Sequence, residues 1–304
     1  MDFHTFTRLD PTLEPRLREL LRRHREAAAK VDWSYATLLP WQQGRSFEDD
    51  PWTSDQRQLS EPLYVAVETA LLTEANLPWF TAGLDTLFRN SHRVLHDFVR
   101  SWTAEEDQHS DILQTYLLLT RNGDPQALHT LRHDVLEQGF AMKYDTPIEV
   151  LVYTTVQELA TRAFYVSLAQ ACAGEDPVLA RILRRLSRDE SLHYGFYRDV
   201  VAAHLEVDPN YVWPVAGVLR DFRMPGEGMP NFAGRMRTIA EHGVYGIRQY
   251  YGQVVDALVR QWGIESLAPT LPGAIEARAS VLQHRDRLAR LAGRGGHAAE
   301  IVAR

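Results

Sequence analysis

Two Glu-x-x-His elements, Glu106/His109 and Glu190/His193, each follow a further glutamate by 32 residues, Glu74 before the first and Glu158 before the second. On a helix, positions i and i+3 project from one face, so each element can grip one metal ion with a carboxylate oxygen and an imidazole nitrogen. One such element says little, since chance supplies about one in a chain of this composition. The repeated spacing says more, because two helical hairpins would each carry an equivalent ligand set. Glu74 is flanked by Leu71, Leu72 and Leu77, and Glu158 lies in the otherwise apolar run from Val150 to Ala169, so both carboxylates are expected inside the fold. Buried carboxylates are costly unless paired or bound to a cation. Taken alone, Glu158 would more readily pair with Arg162 at i+4, and either histidine would more readily sit at a helix surface. Taken together, Glu on two helices and Glu-x-x-His on two others is the plan of dinuclear carboxylate bundles. It predicts two metal ions held by Glu74, Glu106, His109, Glu158, Glu190 and His193, with iron or manganese preferred to zinc by the hard oxygen and imidazole donors.

The helices around these residues have legible ends. Ser60 and Pro62 open one that runs to about Arg89, and Ser91 opens the next, stopped at Asn122-Gly123. Asp124-Pro125 starts a shorter helix ending at Gly139, Thr146-Pro147 a long one to Gly174, and Asp176-Pro177 another to about Glu206. Four helices of about thirty residues, ~45 Å each, imply a bundle with the short helix in the crossover. Pro78 is expected to bend the first helix at the carbonyl of Glu74. The stretch from Val207 to Asn231, rich in proline and glycine, reads as loop. Helical periodicity returns over Phe232–Trp262 and about Ile275–Leu291. Residues 1–292 are expected to form one domain, with a disordered tail over 293–304.

Composition closes several alternatives. The formal charge is −7, whereas a nucleic-acid binder of this size is usually basic. Cys172 is the only cysteine, which excludes an internal disulfide or a thiolate zinc cluster and fits a reducing, cytoplasmic setting. Met1 to Asp10 has no apolar signal core, and no run reaches the ~18 apolar residues needed to span a bilayer.

Thr73-Glu74-Ala75-Asn76-Leu77-Pro78, Trp102-Thr103-Ala104-Glu105-Glu106-Asp107-Gln108-His109, Gln157-Glu158-Leu159-Ala160-Thr161 and Asp189-Glu190-Ser191-Leu192-His193 resemble the soluble acyl-carrier-protein (ACP) desaturases, the family of plant stearoyl-ACP desaturase and its actinobacterial relatives. The resemblance runs from about Val31 to Leu291 and includes Gly243-Val244-Tyr245. It implies an all-α, ferritin-like di-iron four-helix bundle core with additional helices, and places the family's six iron ligands on the six residues already chosen. It implies a role in oxygen activation and proton delivery for Thr161. It also implies an electron relay from Trp33 through Asp189 and His109, and Asp189 is suited to orient His109. The implied reaction is O2-dependent removal of two hydrogens from a carrier-bound acyl chain. Its partners would be ACP, O2 and a ferredoxin-like electron donor, and the chain would act as a homodimer. Phe80, Gly83, Leu87, Leu151, Thr154 and Thr155 are the expected channel lining, each also suited to plain core filling.

The chain departs from the family in Ser191 and Leu192, where basic residues are usual, in a shorter segment between Glu74 and Glu106, and in Gly83, where a bulkier residue is common. These departures leave acyl length and double-bond position open. The same metal site also suits a hydroxylase or N-oxygenase of a carrier-bound intermediate, or an iron-storage bundle. Arg181, Arg184, Arg185 and Arg188 fall on one helical stripe, expected to face outward as a solvated face or a docking patch for an acidic partner.

Overall fold

The structure, a computed structural model, describes residues 3–294, and among them there is no strand. The expectation of a disordered tail falls almost wholly outside the described residues, although the last helix extends to Gly293. Four helices form the core: α2 (Glu61–Glu74), α4 (Arg93–Leu119), α6 (Pro147–Ala171) and α7 (Pro177–Val207). α1 (Glu14–Ala28) packs on α7 and α4, α3 (Leu77–Phe88) on α4, and α5 (Pro125–Gln138) crosses between the two halves against α2. α6 and α7 make the most extensive pairing in the fold. No helix among the described residues is long and apolar enough to cross a membrane.

The helix starts follow local chemistry. The Asp124 carboxylate accepts from the backbone N–H groups of Gln126 and Ala127, and that of Asp176 accepts from Leu179. Each satisfies donors that the first turn leaves free. Pro125, Pro147 and Pro177 occupy first-turn positions where a missing N–H does no harm. Gly139 ends α5 at φ +70°, a backbone conformation that strains any residue with a Cβ.

Three expectations are corrected. Pro78 does not bend one long helix: α2 stops at Glu74, and Pro78 sits in the first turn of a separate helix, α3, because its ring is tolerated there and not in a helix interior. The stretch read as loop contains α8 (Val212–Asp221), since Trp213-Pro214 falls in a first turn and Val212, Val215, Ala216, Val218 and Leu219 bury one face. The helix expected over Phe232–Trp262 is broken into α9 (Phe232–Glu241) and a segment over 247–261 whose centre, Tyr250–Val255, winds as a π-helix.

His204, fully buried near the end of α7, holds its ring neutral: Nδ1 donates to the Val200 carbonyl at 2.8 Å, and Nε2 accepts from the Asp10 N–H at 3.3 Å. Burial is the main reason its pKa falls from 6.5 to about 4. The unfolded chain therefore binds a proton in that window and the folded chain does not. Stability attached to His204 is complete above pH 6.5 and is lost as pH falls toward 4, by about 3 kcal/mol in all. Urea titrations at neutral pH and near pH 4.5 should show that loss. The His204→Gln variant should lose correspondingly less between the same two conditions.

Candidate metal centre

The four core helices bring all six expected ligands to one place. Glu74 ends α2, Glu106 and His109 lie one turn apart on α4, Glu158 sits mid-α6, and Glu190 and His193 lie one turn apart on α7. They form two overlapping groups, Glu74/Glu106/His109/Glu190 and Glu106/Glu158/Glu190/His193, and within each group one atom per residue lies within 4.8 Å of the others. Glu106 and Glu190 belong to both. Glu106 presents Oε2 to His109 Nδ1 at 2.8 Å and Oε1 to His193 Nδ1 at 2.7 Å. Glu190 Oε1 lies 3.4 Å from His109 Nδ1, and Glu158 Oε2 lies 3.5 Å from His193 Nδ1.

These contacts are close but are not angled as hydrogen bonds. His109 Nδ1, His193 Nδ1, Glu158 Oε2 and Glu190 Oε1 are buried with no hydrogen-bond partner. Orphaned donors and acceptors of this kind are rare inside proteins, and their convergence fits a pair of cations, one that Glu74 and His109 and one that Glu158 and His193 would hold, with Glu106 and Glu190 available to both. The α2 C-terminus adds partial negative charge beside Glu74.

The titration behaviour has the same origin. Burial, with Glu106 and Glu158 nearby, pushes Glu190 well up. Burial and Glu106 raise Glu74 to about 7, and burial raises Glu158. Burial also acts against charge on Glu106, yet His109 and His193 hold it far below the usual carboxylate range. Both imidazoles are driven up by Glu106 despite burial. Without a metal, protons supply part of the positive charge that the carboxylates require, and cations entering the site would displace them.

Each outer ligand has one further donor. Tyr165 Oη donates to Glu74 Oε1, and Trp102 Nε1 donates to Glu158 Oε1 at 3.1 Å. Behind the imidazoles, His109 Nε2 lies 3.3 Å from Asp189 Oδ2, and His193 Nε2 lies 2.9 Å from Glu105 Oε2. Trp33 Nε1 donates to Asp189 Oδ2 at 2.7 Å, so Trp33, Asp189 and His109 form a continuous chain. The Thr161 hydroxyl is buried with no partner. Sequence reasoning missed Tyr165, Glu105, His24 beyond Glu105 (3.4 Å) and the inward turn of Arg185. Glu105 was within reach of a sequence reading, since it precedes a ligand on the same helix.

Three neighbouring cavities that share lining residues lie between the surface and this cluster. A cavity of about 610 Å³ opens between α8, α9 and the last helix (Pro272–Gly293), with Arg220, Arg223, His284 and Arg287 in its wall. It shares Met224, Phe232, Met236 and Tyr245 with a smaller cavity of about 50 Å³, which reaches Glu74 and Thr161. A third, of about 20 Å³, also touches Glu74 and Thr161 and continues to Glu106, Trp102 and Phe80. Of the six expected lining residues, Phe80 alone borders these neighbouring cavities. Leu151, Thr154 and Thr155 are fully buried, with both hydroxyls bonded to carbonyls of their own helix. Leu87 is half-buried, and a Cβ at Gly83 would meet Met142 at 3.9 Å. The arginine stripe is likewise only partly external, because Arg185 pairs with Asp189.

A family profile described as fatty acid desaturase matches residues 6–303. The protein named acyl-ACP desaturase DesA1 of Mycobacterium tuberculosis is 32% identical over 264 residues, 83% of this chain and 77% of the relative. Stearoyl-ACP 9-desaturase 6, chloroplastic, of Arabidopsis thaliana is 31% identical over 274 residues, 77% of this chain and 69% of the relative. The X-ray structure of the acyl-ACP desaturase DesA2 of M. tuberculosis superposes with a TM-score of 0.69 at 24% identity, covering 87% of this chain and 97% of that one, which establishes the shared fold.

Proposed function

Because the chain belongs to the fatty acid desaturase family, we propose that it is an acyl-ACP desaturase that introduces a double bond into a carrier-bound acyl chain, using two iron ions and O2. The observation that carries this reading is the pair of ligand groups sharing Glu106 and Glu190, bordered by small cavities with a mainly apolar lining. Two bound iron ions would supply the reduction of O2 and the oxidising power to take hydrogen from two adjacent methylenes.

The chain's own residues do the rest. Glu74 and Glu158 hold the two outer positions, and Tyr165 and Trp102 fix their orientation. Asp189 keeps a proton on Nε2 of His109, which leaves Nδ1 free to ligate, and Glu105 does the same for His193. Thr161, with its free hydroxyl beside Glu74 at the meeting of the two inner cavities, holds a proton where O2 is consumed. Trp33, partly exposed and bonded to Asp189, is the point of electron entry from a ferredoxin-like donor. Phe164, Met224, Phe232 and Met236 line the middle cavity, keep it dry and guide the acyl chain. The widest cavity carries Arg220, Arg223 and Arg287 with His284 against Asp221 and Glu227, a basic excess suited to an acidic carrier although the protein as a whole is acidic. The enzyme works as a cytoplasmic homodimer.

The test is anaerobic loading with ferrous iron, followed by O2, a reductase system and a panel of acyl-ACPs, with mass analysis of the released chains. The expected product is lighter than its substrate by two hydrogens. A product heavier by one oxygen, or unchanged chains across the panel, would overturn the assignment.

A further inference from the structure

The two ligand groups are nearly matched. They share Glu106 and Glu190, each has one outer carboxylate with a single aromatic donor, and each has one imidazole backed by a carboxylate. The match fails behind the imidazoles. Asp189, behind His109, is paired through Oδ1 with the Arg185 guanidinium, which reaches it from one turn earlier on α7. That pair is almost closed to solvent, at 11% and 7% side-chain exposure, so its charges are poorly screened. The guanidinium also lies 5.2 Å from the centre of the Trp33 ring, which holds it over the indole. Behind His193, Glu105 faces only the imidazole of His24, and among the described residues no lysine or arginine pairs with it.

We propose that Arg185 makes the two metal positions unequal, leaving the Glu74/His109 position the weaker cation site of the pair. This rests on the dinuclear reading above. A carboxylate behind a ligating imidazole makes the ring a better donor, and a guanidinium on that carboxylate takes up the charge that does so. The fixed positive charge also repels a cation directly. Both effects act on the His109 side. Arg185 touches no ligand and works through Asp189, as a positioning residue.

The experiment is anaerobic titration of the full chain with Co(II) alone, followed by calorimetry and by the visible absorption of the bound ion. Two unequal binding events are expected. Glu74→Gln should delete the weaker event and Glu158→Gln the tighter one. Arg185→Gln should tighten the weaker event by about tenfold, within the range that outer partners of metal ligands command, while Arg185→Lys keeps the inequality. In an Asp189→Asn background the Arg185→Gln effect should shrink to the part due to direct repulsion. Equal affinities in the unaltered chain, or the reverse assignment of events in the two glutamine variants, overturns the proposal even if Arg185→Gln does not fold. An unchanged or weakened second event in a folded Arg185→Gln protein overturns it as well. A chain that binds no cobalt removes the dinuclear reading and this proposal together, whereas two equal sites remove only the proposal.

Discussion

Glu158→Gln is expected to leave the metal-free chain at least as resistant to heat as the parent while abolishing turnover. Glu158 is fully buried, and burial is the main cause of its raised pKa, with Glu106 adding to it. Without a cation, its carboxylate faces the His193 imidazole as well as Glu106, and the cost of burial outweighs what the imidazole returns. Glutamine keeps the shape and keeps an Oε1 acceptor for Trp102 Nε1, but removes the charge, so packing survives and like-charge repulsion is relieved. With metal the sign reverses. A ligand bound only by the folded state at a hundredfold excess over its Kd contributes about 2.7 kcal/mol per site, and the variant should lose that gain at one of its two positions. Turnover should fall by more than ~100-fold, beyond the 10- to 100-fold typical of residues that only support a ligand. Melting with and without divalent metal, beside single-turnover product analysis, checks both halves. A large drop in the metal-free melting temperature would show that Glu158 serves the fold and not the metal, and full turnover would remove it from the site.

Ala70→Phe is expected to stop acyl-chain turnover without emptying the metal centre. Ala70 lies on α2 and lines the narrow middle cavity with Ala160, Phe164 and Tyr165. That cavity holds only about 50 Å³, so a phenyl ring fills it and overpacks its walls, at a stability cost of about 1–3 kcal/mol. Of the six ligands only Glu74, one turn further along α2, borders this cavity, so cobalt should still bind at two positions per chain. A chain denied its path cannot bring its methylenes to the cluster, and displacement of even about 1 Å costs on the order of 100-fold in rate. Comparison of kcat/KM on a carrier-bound chain with cobalt stoichiometry separates blockage from metal loss. Near-normal kcat/KM with an unchanged product would mean that the acyl chain travels elsewhere.

The legible parts of this protein were those encoded by short-range rules. Asp124, Asp176 and the prolines after them marked helix starts, because capping involves residues two or three apart. The six ligand candidates were found because 32-residue spacing and the i, i+3 step survive as number patterns in the chain. The α2 break was misplaced as a bend, since proline tolerance depends on whether the preceding turn is already ending. α8 was missed because proline and glycine content masked its short apolar face. Arg185 was assigned outward from helical phase alone, yet a long side chain with a buried carboxylate one turn away folds back to reach it. Of the expected channel residues only Phe80 borders a cavity beside the cluster, and the middle cavity is lined instead by Ala70, Phe164, Met224, Phe232 and Met236, some of which lie on helices far apart in sequence.

By itself, then, the order of residues determined an all-helical chain, the ends of its main helices and the identity of six side chains suited to hold metal. Those properties arise from hydrogen bonds, helical phase and donor chemistry within a few residues of one another. Only tertiary packing decided which carboxylates the two groups share, which imidazole lies behind a carboxylate paired with a guanidinium and where cavities border the cluster. These depend on distances between helices, and burial gives each such distance its electrostatic weight.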